Sequence, residues 1–195
     1  VVAVSPHSND FPTPPEANQA SGAALTETYQ HAESARHPGI EHELRRNLGA
    51  YAGALDEFTA ILNYSYIDSE IQLGSNTIQT NLDRPLVGQP DHVGNFVLEW
   101  AKPEWSSVVR LLYNYPGETV AFAGTNGLDD IVEDPRGTLD LVYRQGFRLF
   151  GFNWNAKLSG ENLTEEARVF SQGGDLWRGW NPGRKIGISL GVNFS

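Results

Sequence analysis

The chain contains no cysteine and no methionine. Without cysteine it has no disulfide, no thiolate metal site and no cysteine nucleophile, and this suits a reducing cytosol and an exported bacterial protein equally. Basic residues are scarce: 14 Lys and Arg stand against 24 Asp and Glu, for a net charge of −10. That balance argues against a nucleic-acid partner held by phosphate neutralisation. No apolar run approaches about eighteen residues, so no transmembrane helix is expected. Closed β-barrels cross membranes with strands and are not excluded by this absence. No basic-then-apolar leader opens the sequence, and Val1 is not an initiator. The 195 residues are therefore expected to be a piece of a longer precursor, with enough chain for one domain or part of a larger one.

Catalytic signatures are also missing. No Ser-His-Asp or paired-carboxylate arrangement stands out and no glycine-rich phosphate loop is present, so neither an enzyme nor a cofactor is expected. The five His include "HPGIEHE", but His37 and His42 are five apart and would face opposite sides of a strand, so no metal site is expected. Asp129, Asp130, Glu133 and Asp134 lack the order of a calcium loop and read as a solvated loop.

What the sequence has is alternation. Phe58, Ala60, Leu62, Tyr64 and Tyr66 oppose Thr59, Ile61, Asn63 and Ser65, and Phe96, Leu98 and Trp100 oppose Asn95, Val97 and Glu99. Val109, Leu111, Tyr113 and Tyr115 oppose Arg110 and Asn114, and Leu139, Leu141 and Tyr143 oppose Thr138, Asp140 and Arg144. Segment 149–159 sets Phe150, Phe152, Trp154, Ala156 and Leu158 against Asn153, Asn155 and Lys157. In the last segment Ile186, Ile188, Leu190, Val192 and Phe194 oppose Lys185, Gly187, Ser189, Gly191 and Asn193. Period two marks strands with two unlike faces. A seventh strand is expected within 27–46, weakened by Pro38, and residues 1–4 suit the end of an eighth. A weak helical pattern covers 41–56.

The links sort by length. Those near 47–56, 101–106 and 145–148 are short; those near 6–26, 70–91, 117–137 and 160–183 are long and rich in Gly, Pro, Asn and Asp. Strict alternation puts every long loop at one end of an antiparallel meander, the layout of an outer-membrane barrel, whereas a Greek-key sandwich has no reason for it. Strands of about ten to twelve residues, tilted by roughly 40°, project to about 25–30 Å, which matches the apolar band of such barrels. Glu99, Arg110, Asp140, Lys157 and Lys185 all fall on the polar parity. Asp68 and Arg148 share the apolar parity, at strand ends where their charges reach water. Tyr64, Tyr66, Trp100, Tyr113, Tyr115, Tyr143 and Phe194 suit interfacial girdles, with ordinary packing as the alternative. Glu41, Glu43 and Arg45 share one parity and, with Arg110, Asp140 and Arg144, would line a lumen. Trp177, Arg178 and Trp180 join charge to aromatic surface in a long loop, suited to contacting a siderophore or sugar or to anchoring the loop at the barrel rim.

"HAESARHPGIEHELRRNLG", "NYSYIDSEI", "RPLVGQPDHVGNFVLEW", "LLYNYPGETV", "EDPRGTLDLVY", "GENLTEEARVFSQGG" and "PGRKIGISLGVNFS" follow one another over roughly residues 27–195. In this order they resemble the C-terminal end of TonB-dependent outer-membrane receptors. The resemblance implies an all-β, antiparallel up-and-down meander of seven or eight long strands, part of a 22-stranded transmembrane barrel. Residues 27–195 would form the barrel strands, and residues 1–26 an extracellular loop with the possible end of a preceding strand. It implies a segment of an active-transport receptor in the outer membrane of a Gram-negative bacterium, taking up scarce small molecules such as ferric siderophores. The implied partners are outer-membrane lipid, the plug domain of the full-length chain, the TonB complex and the barrel-assembly machinery. Glu41 and Glu43 would then face plug arginines or simply wet the lumen, and Gly187, Leu190, Gly191 and Phe194 would carry the assembly signal. The chain departs from the family at Pro38, at His42 between two glutamates, and at Ser195 beyond the terminal aromatic. A self-contained porin or adhesin barrel and a secreted carbohydrate-binding β-sandwich are the alternative readings.

Overall fold

The structure, a computed structural model, describes residues 32–75 and 78–193. The expectations for residues 1–31, Phe194 and Ser195 lie outside these. Seven strands form one antiparallel sheet: β2 (Gly39–Asn47), β3 (Phe58–Ile67), β6 (His92–Lys102), β7 (Ser107–Pro116), β10 (Thr138–Leu149), β11 (Phe152–Glu161) and β14 (Lys185–Asn193). Each pairs with the next in chain order, so the expected meander is present, with β2 and β14 as the edges. Seven shorter strands lie within or beside the long links: β1 (Ser34–Arg36), β4 (Glu70–Gln72), β5 (Asp83–Arg84), β8 (Thr119–Phe122), β9 (Ile131–Glu133), β12 (Arg168–Gln172) and β13 (Asp175–Trp180). The described residues contain no α-helix.

Directly opposed residues of an antiparallel pair share a face, so register converts sequence parity into geometry. Leu44 opposes Leu62, Leu62 opposes Phe96 and Phe96 opposes Tyr113. Next to this row, Leu98 opposes Leu111 and Leu111 opposes Leu141. Farther along, Leu158 opposes Ile188 and Ala156 opposes Leu190. The apolar sets of separate segments thus assemble into one continuous apolar face. Nothing in the chain covers it: Ile188 is 83% exposed, and Ile40, Leu44, Ile186 and Leu190 are each above 60%. Among the described residues the buried apolar side chains are only Leu73, Val120 and Phe170, all beyond the loop end of the long strands. The seven-stranded sheet therefore has no protein core on its apolar side.

Three expectations change. The third tight turn lies at Phe150–Gly151 rather than 145–148, because both residues take positive φ, 51° and 82°, the pattern of a two-residue type I′ hairpin. Arg148 therefore belongs to β10 opposite Asn153 on the polar face, and Phe150 leaves the strand to stand 84% exposed at the turn. Pro38 splits the expected 27–46 strand: β1 pairs with β4 and β2 with β3, while the Pro38 carbonyl accepts from Asp68 N at 2.9 Å. The helical pattern at 41–56 gives two 3-10 turns, Leu48–Ala50 and Gly53–Leu55. Tyr143, expected in a girdle, sits mid-strand between Val109 and Leu158.

The long links are continuations of the wall rather than free loops. The pairing Thr119↔Glu133 keeps the register of Asn114↔Thr138, and Ser34↔Gln72 keeps that of Gly39↔Ile67. Pro90↔Thr119 likewise extends Val93↔Pro116. Extending β10–β11 would set Glu133 against Arg168, and extending β11–β14 would set Arg168 against Arg178. The observed partners are Phe170 and Trp180, each a slip of two residues. A slip of two preserves the face, where a slip of one would reverse it.

Candidate functional site

Two surfaces carry chemistry. The first is the polar face of the long strands. Glu41, Glu43 and Arg45 point there from β2, opposite Ser65, Asn63 and Ile61. Arg110 shares the face and forms an ion pair with Glu99 directly across β6–β7. Asp140 accepts from Asn162 N at 2.8 Å, holding the start of the β11–β12 link. Arg144 is directly opposite Lys157, a like-charge pair with no carboxylate on either member among the described residues. Such juxtaposition destabilises a sheet unless another group or water compensates. Asn114 Nδ2 donates to Asn95 Oδ1 at 2.7 Å across the same face. Glu41, Glu43 and Arg45 make no side-chain hydrogen bond or ion pair with any described residue. The six residues expected to share a face do so, and charge on it is uneven: two glutamates lie on the β2 edge, while Arg144, Arg148 and Lys157 gather on β10–β11. Gly187 and Gly191 also lie on this face, opposite Ser159 and Asn155, whereas Leu190 lies on the apolar one.

The second surface is the four-stranded sheet β13-β12-β9-β8 above the long strands. Trp180 opposes Arg168, Arg178 opposes Phe170, Phe170 opposes Glu133, and Glu133 opposes Thr119, so these side chains share a face. A register shift at Phe170/Ser171 turns Trp177 to the same side, 6.4 Å from Phe170 and 6.0 Å from Phe122 between ring centroids. Phe170 stacks on Trp180 at 5.4 Å and 13°. Arg168 donates two hydrogen bonds to Glu133, at 2.6 and 2.7 Å, which raise its pKa further above the ordinary arginine value. Arg178 lies 5.0 Å over the Trp180 ring and has no carboxylate among the described residues. A cavity of about 540 Å³ opens between these residues and Pro90, Gly117, Thr119 and Ala121.

Register decides which side of the wall this cavity occupies. Thr119 shares its face with Pro90, and a Cβ on Gly117 would collide with the His92 ring. His92 is on the apolar face, stacked between Tyr64 and Tyr115 at 6.3 and 6.0 Å. Trp177, Arg178 and Trp180 therefore stand on the continuation of the apolar face, on the opposite side from Glu41, Glu43 and Arg110. Sequence reasoning missed Arg168, Phe170 and Glu133. Their signal is the alternation of "RVFSQ" facing that of "DLWRGW", visible only once the two are paired.

The acidic run is dispersed among separate partners. Asp130 accepts from Gly124 N at 2.6 Å and from Asn81 at 3.0 Å, Glu133 is held by Arg168, and Asp134 accepts from Ser171 at 2.9 Å. No group of three or more metal-ligating side chains occurs among the described residues. Arg84, 8% exposed, donates to Gln79 at 2.9 Å between the two links, and burial lowers its pKa.

The family model described as "TonB dependent receptor-like, beta-barrel" matches residues 6–163. The chain belongs to the TonB-dependent receptor β-barrel family. It is thus part of an all-β barrel of an outer-membrane transport receptor, a family of transporters rather than enzymes. Neither a comparison with curated proteins nor one with solved structures finds a match. Membership gives the two unlike faces a common frame, since receptors of this family pair a barrel with a plug domain and couple to TonB in the full-length protein.

Proposed function

We propose that this segment forms barrel wall in an active-transport receptor that takes up scarce small molecules, of the ferric siderophore type, with energy delivered through TonB. The observation that carries the reading is the uncovered apolar face. A soluble sheet buries such a face against a second layer; here the described chain supplies none, and lipid is the remaining apolar medium. The polar face then lines the lumen. Its unpaired glutamates on β2 and unpaired cations on β10–β11 suit a polar occupant with complementary charges, which a plug of the same full-length chain would provide.

Orientation follows from the links. Short turns at Leu48–Ala50, Pro103–Trp105 and Phe150–Gly151 mark the periplasmic end, and the strand-bearing links mark the extracellular end. The transported ligand then meets the lumenal side of the wall, where Glu41, Glu43, Arg45, Arg110, Asp140 and Arg144 stand. Trp177, Arg178 and Trp180 fit the rim-anchor reading better than ligand contact, because they continue the lipid side. Gly187, Leu190, Gly191 and Phe194 are assigned to the assembly signal on the family pattern.

Uptake of labelled ferric siderophores by cells carrying the full receptor tests this. Uptake that requires TonB is expected; equal uptake without TonB would favour a passive porin. Replacing Glu41 and Glu43 by Lys is expected to weaken plug retention while the barrel still assembles. Unchanged plug retention would leave the two glutamates as lumen-wetting groups only.

A further inference from the structure

We propose that the cavity framed by Arg178, Trp180, Arg168 and Trp177 binds the phosphorylated saccharide headgroup of an outer-leaflet glycolipid. The inference rests on the reading that the apolar face meets lipid, and goes beyond it in assigning a site and a ligand class. Three observations converge. The cavity is on the lipid side of the wall, because its floor residues Pro90, Gly117 and Thr119 continue the face that carries His92 and Tyr115. It begins where the apolar band ends: His92, Tyr64 and Tyr115 form a stacked aromatic row directly below it. A molecule seated there therefore has its acyl chains against Tyr115 and Leu111 and its headgroup level with β8–β13.

The chemistry of the lining is the third observation. In a chain of net charge −10 the cavity gathers Arg136, Arg168 and Arg178. Glu133 neutralises Arg168 through a bidentate pair and lies 3.8 Å from Arg136, so Arg178 keeps an uncommitted guanidinium. A planar fork of N–H donors is matched to phosphate oxygens. Trp177 and Trp180, 47% and 40% exposed, offer flat apolar platforms of the kind on which sugar rings stack. The Phe170–Trp180 stack fixes one platform and Arg178 lies over the same ring, so phosphate and sugar sites are held at adjacent positions before any ligand arrives. A diphosphate-bearing saccharide attached to acyl chains satisfies the cation, the platforms and the position together, whereas a zwitterionic phospholipid leaves the platforms unused.

The test uses the full receptor in vesicles of phosphatidylethanolamine with lipopolysaccharide, against vesicles in which the lipopolysaccharide has been dephosphorylated. Lipopolysaccharide retained through detergent purification is measured by mass spectrometry. Wild type is expected to retain the phosphorylated form selectively. Arg178→Ala is expected to lower retention roughly tenfold or more, the size of one lost charged hydrogen bond, and Trp180→Ala to lower it while phosphate selectivity persists. Assembly, read from heat-modifiable gel migration, and siderophore uptake should be unchanged in both variants. Equal retention of phosphorylated and dephosphorylated glycolipid, or unaltered retention by Arg178→Ala, overturns the proposal. So does displacement by inorganic phosphate alone, or loss of siderophore affinity without loss of glycolipid. Selective retention in a wild-type receptor that shows no TonB-dependent uptake would refute the transport reading and leave this one standing.

Discussion

Leu111 and Leu112 are adjacent, chemically identical and both half-buried in the chain, yet register places them in opposite media. Leu111 lies near the middle of β7 between Leu98 and Leu141, on the apolar face, while Leu112 lies between Val97 and Asp140 on the polar face. Placing arginine at each in turn isolates the face from every other variable. On the lipid side near the bilayer midplane the cation costs about 2–4 kcal/mol, so Leu111→Arg should reduce the folded-to-unfolded ratio roughly 30- to 700-fold. In Leu112→Arg the guanidinium enters the wet side with the Asp140 carboxylate on the opposed residue, and the exposed ion pair contributes on the order of 0–1 kcal/mol against a loss of apolar contact. The expected cost is therefore well below that at Leu111. Urea titration of the full receptor in lipid vesicles, scored by heat-modifiable gel migration, measures both. Equal destabilisation, or a larger loss at Leu112, would refute the assignment of the apolar face to lipid.

The Phe150–Gly151 turn asks a bulky residue to adopt φ 51°, and since asparagine tolerates this region better, Phe150→Asn should raise the urea midpoint by an amount equivalent to about 1 kcal/mol. No rise would mean that contacts of the exposed ring offset the strain. At the same end, hydrogen bonds from Lys102 and Trp100 hold the Glu57 carboxyl below its ordinary range. A lowered folded-state pKa gives stability that is present above the unfolded carboxylate value and is lost as pH falls through the folded one. Acidification should then change Trp100 fluorescence in a step that Glu57→Gln abolishes; a step that survives the substitution assigns it to another group. Gly117→Ala should destabilise by about 1–3 kcal/mol because the added Cβ overlaps the His92 ring, and His92→Ala in the same chain should recover most of that loss. Independent, additive losses would show that Gly117 does not approach His92.

Much of the barrel wall was legible because its two physical signals are local. Alternation in "FTAILNYSYI" or "VVRLLYNYP" reports two media on two sides, and loop length reports which end each link occupies. The missed turn at Phe150 shows where locality fails. Phenylalanine is an unfavourable residue at positive φ, so "LFGFNW" reads as one strand from Leu149 onward, and only pairing with β10 forces the reversal at Phe150–Gly151. Tyr143 failed for a related reason: β10 extends to Leu149, so a residue placed near a strand end by parity falls in its middle. The aromatic and arginine patch was only partly legible. Trp177, Arg178 and Trp180 stand out by type, but their side of the wall depends on the pairing of β8, β9, β12 and β13, which no single segment encodes.

That dependence has a structural consequence for reading the links. Because Thr119↔Glu133 preserves the β7–β10 register and the later slips are of two residues, the in-or-out pattern set in the apolar band is carried upward through four strands. Polar links then inherit a side from the strands below them. Asp134 and Ser171, on the opposite parity to Glu133 and Phe170, bond to each other at 2.9 Å on the lumenal side, while Arg168 and Glu133 pair on the lipid side. A one-residue insertion between Pro116 and Thr119 would reverse that inheritance, turning Thr119 and the strands paired to it. Such an insertion should expose Val120, now 7% exposed on the lumenal side, to the lipid side, and should abolish glycolipid retention without altering the band below. Retention that persists after the insertion would mean the four-stranded sheet takes its orientation from its own contacts and not from the wall.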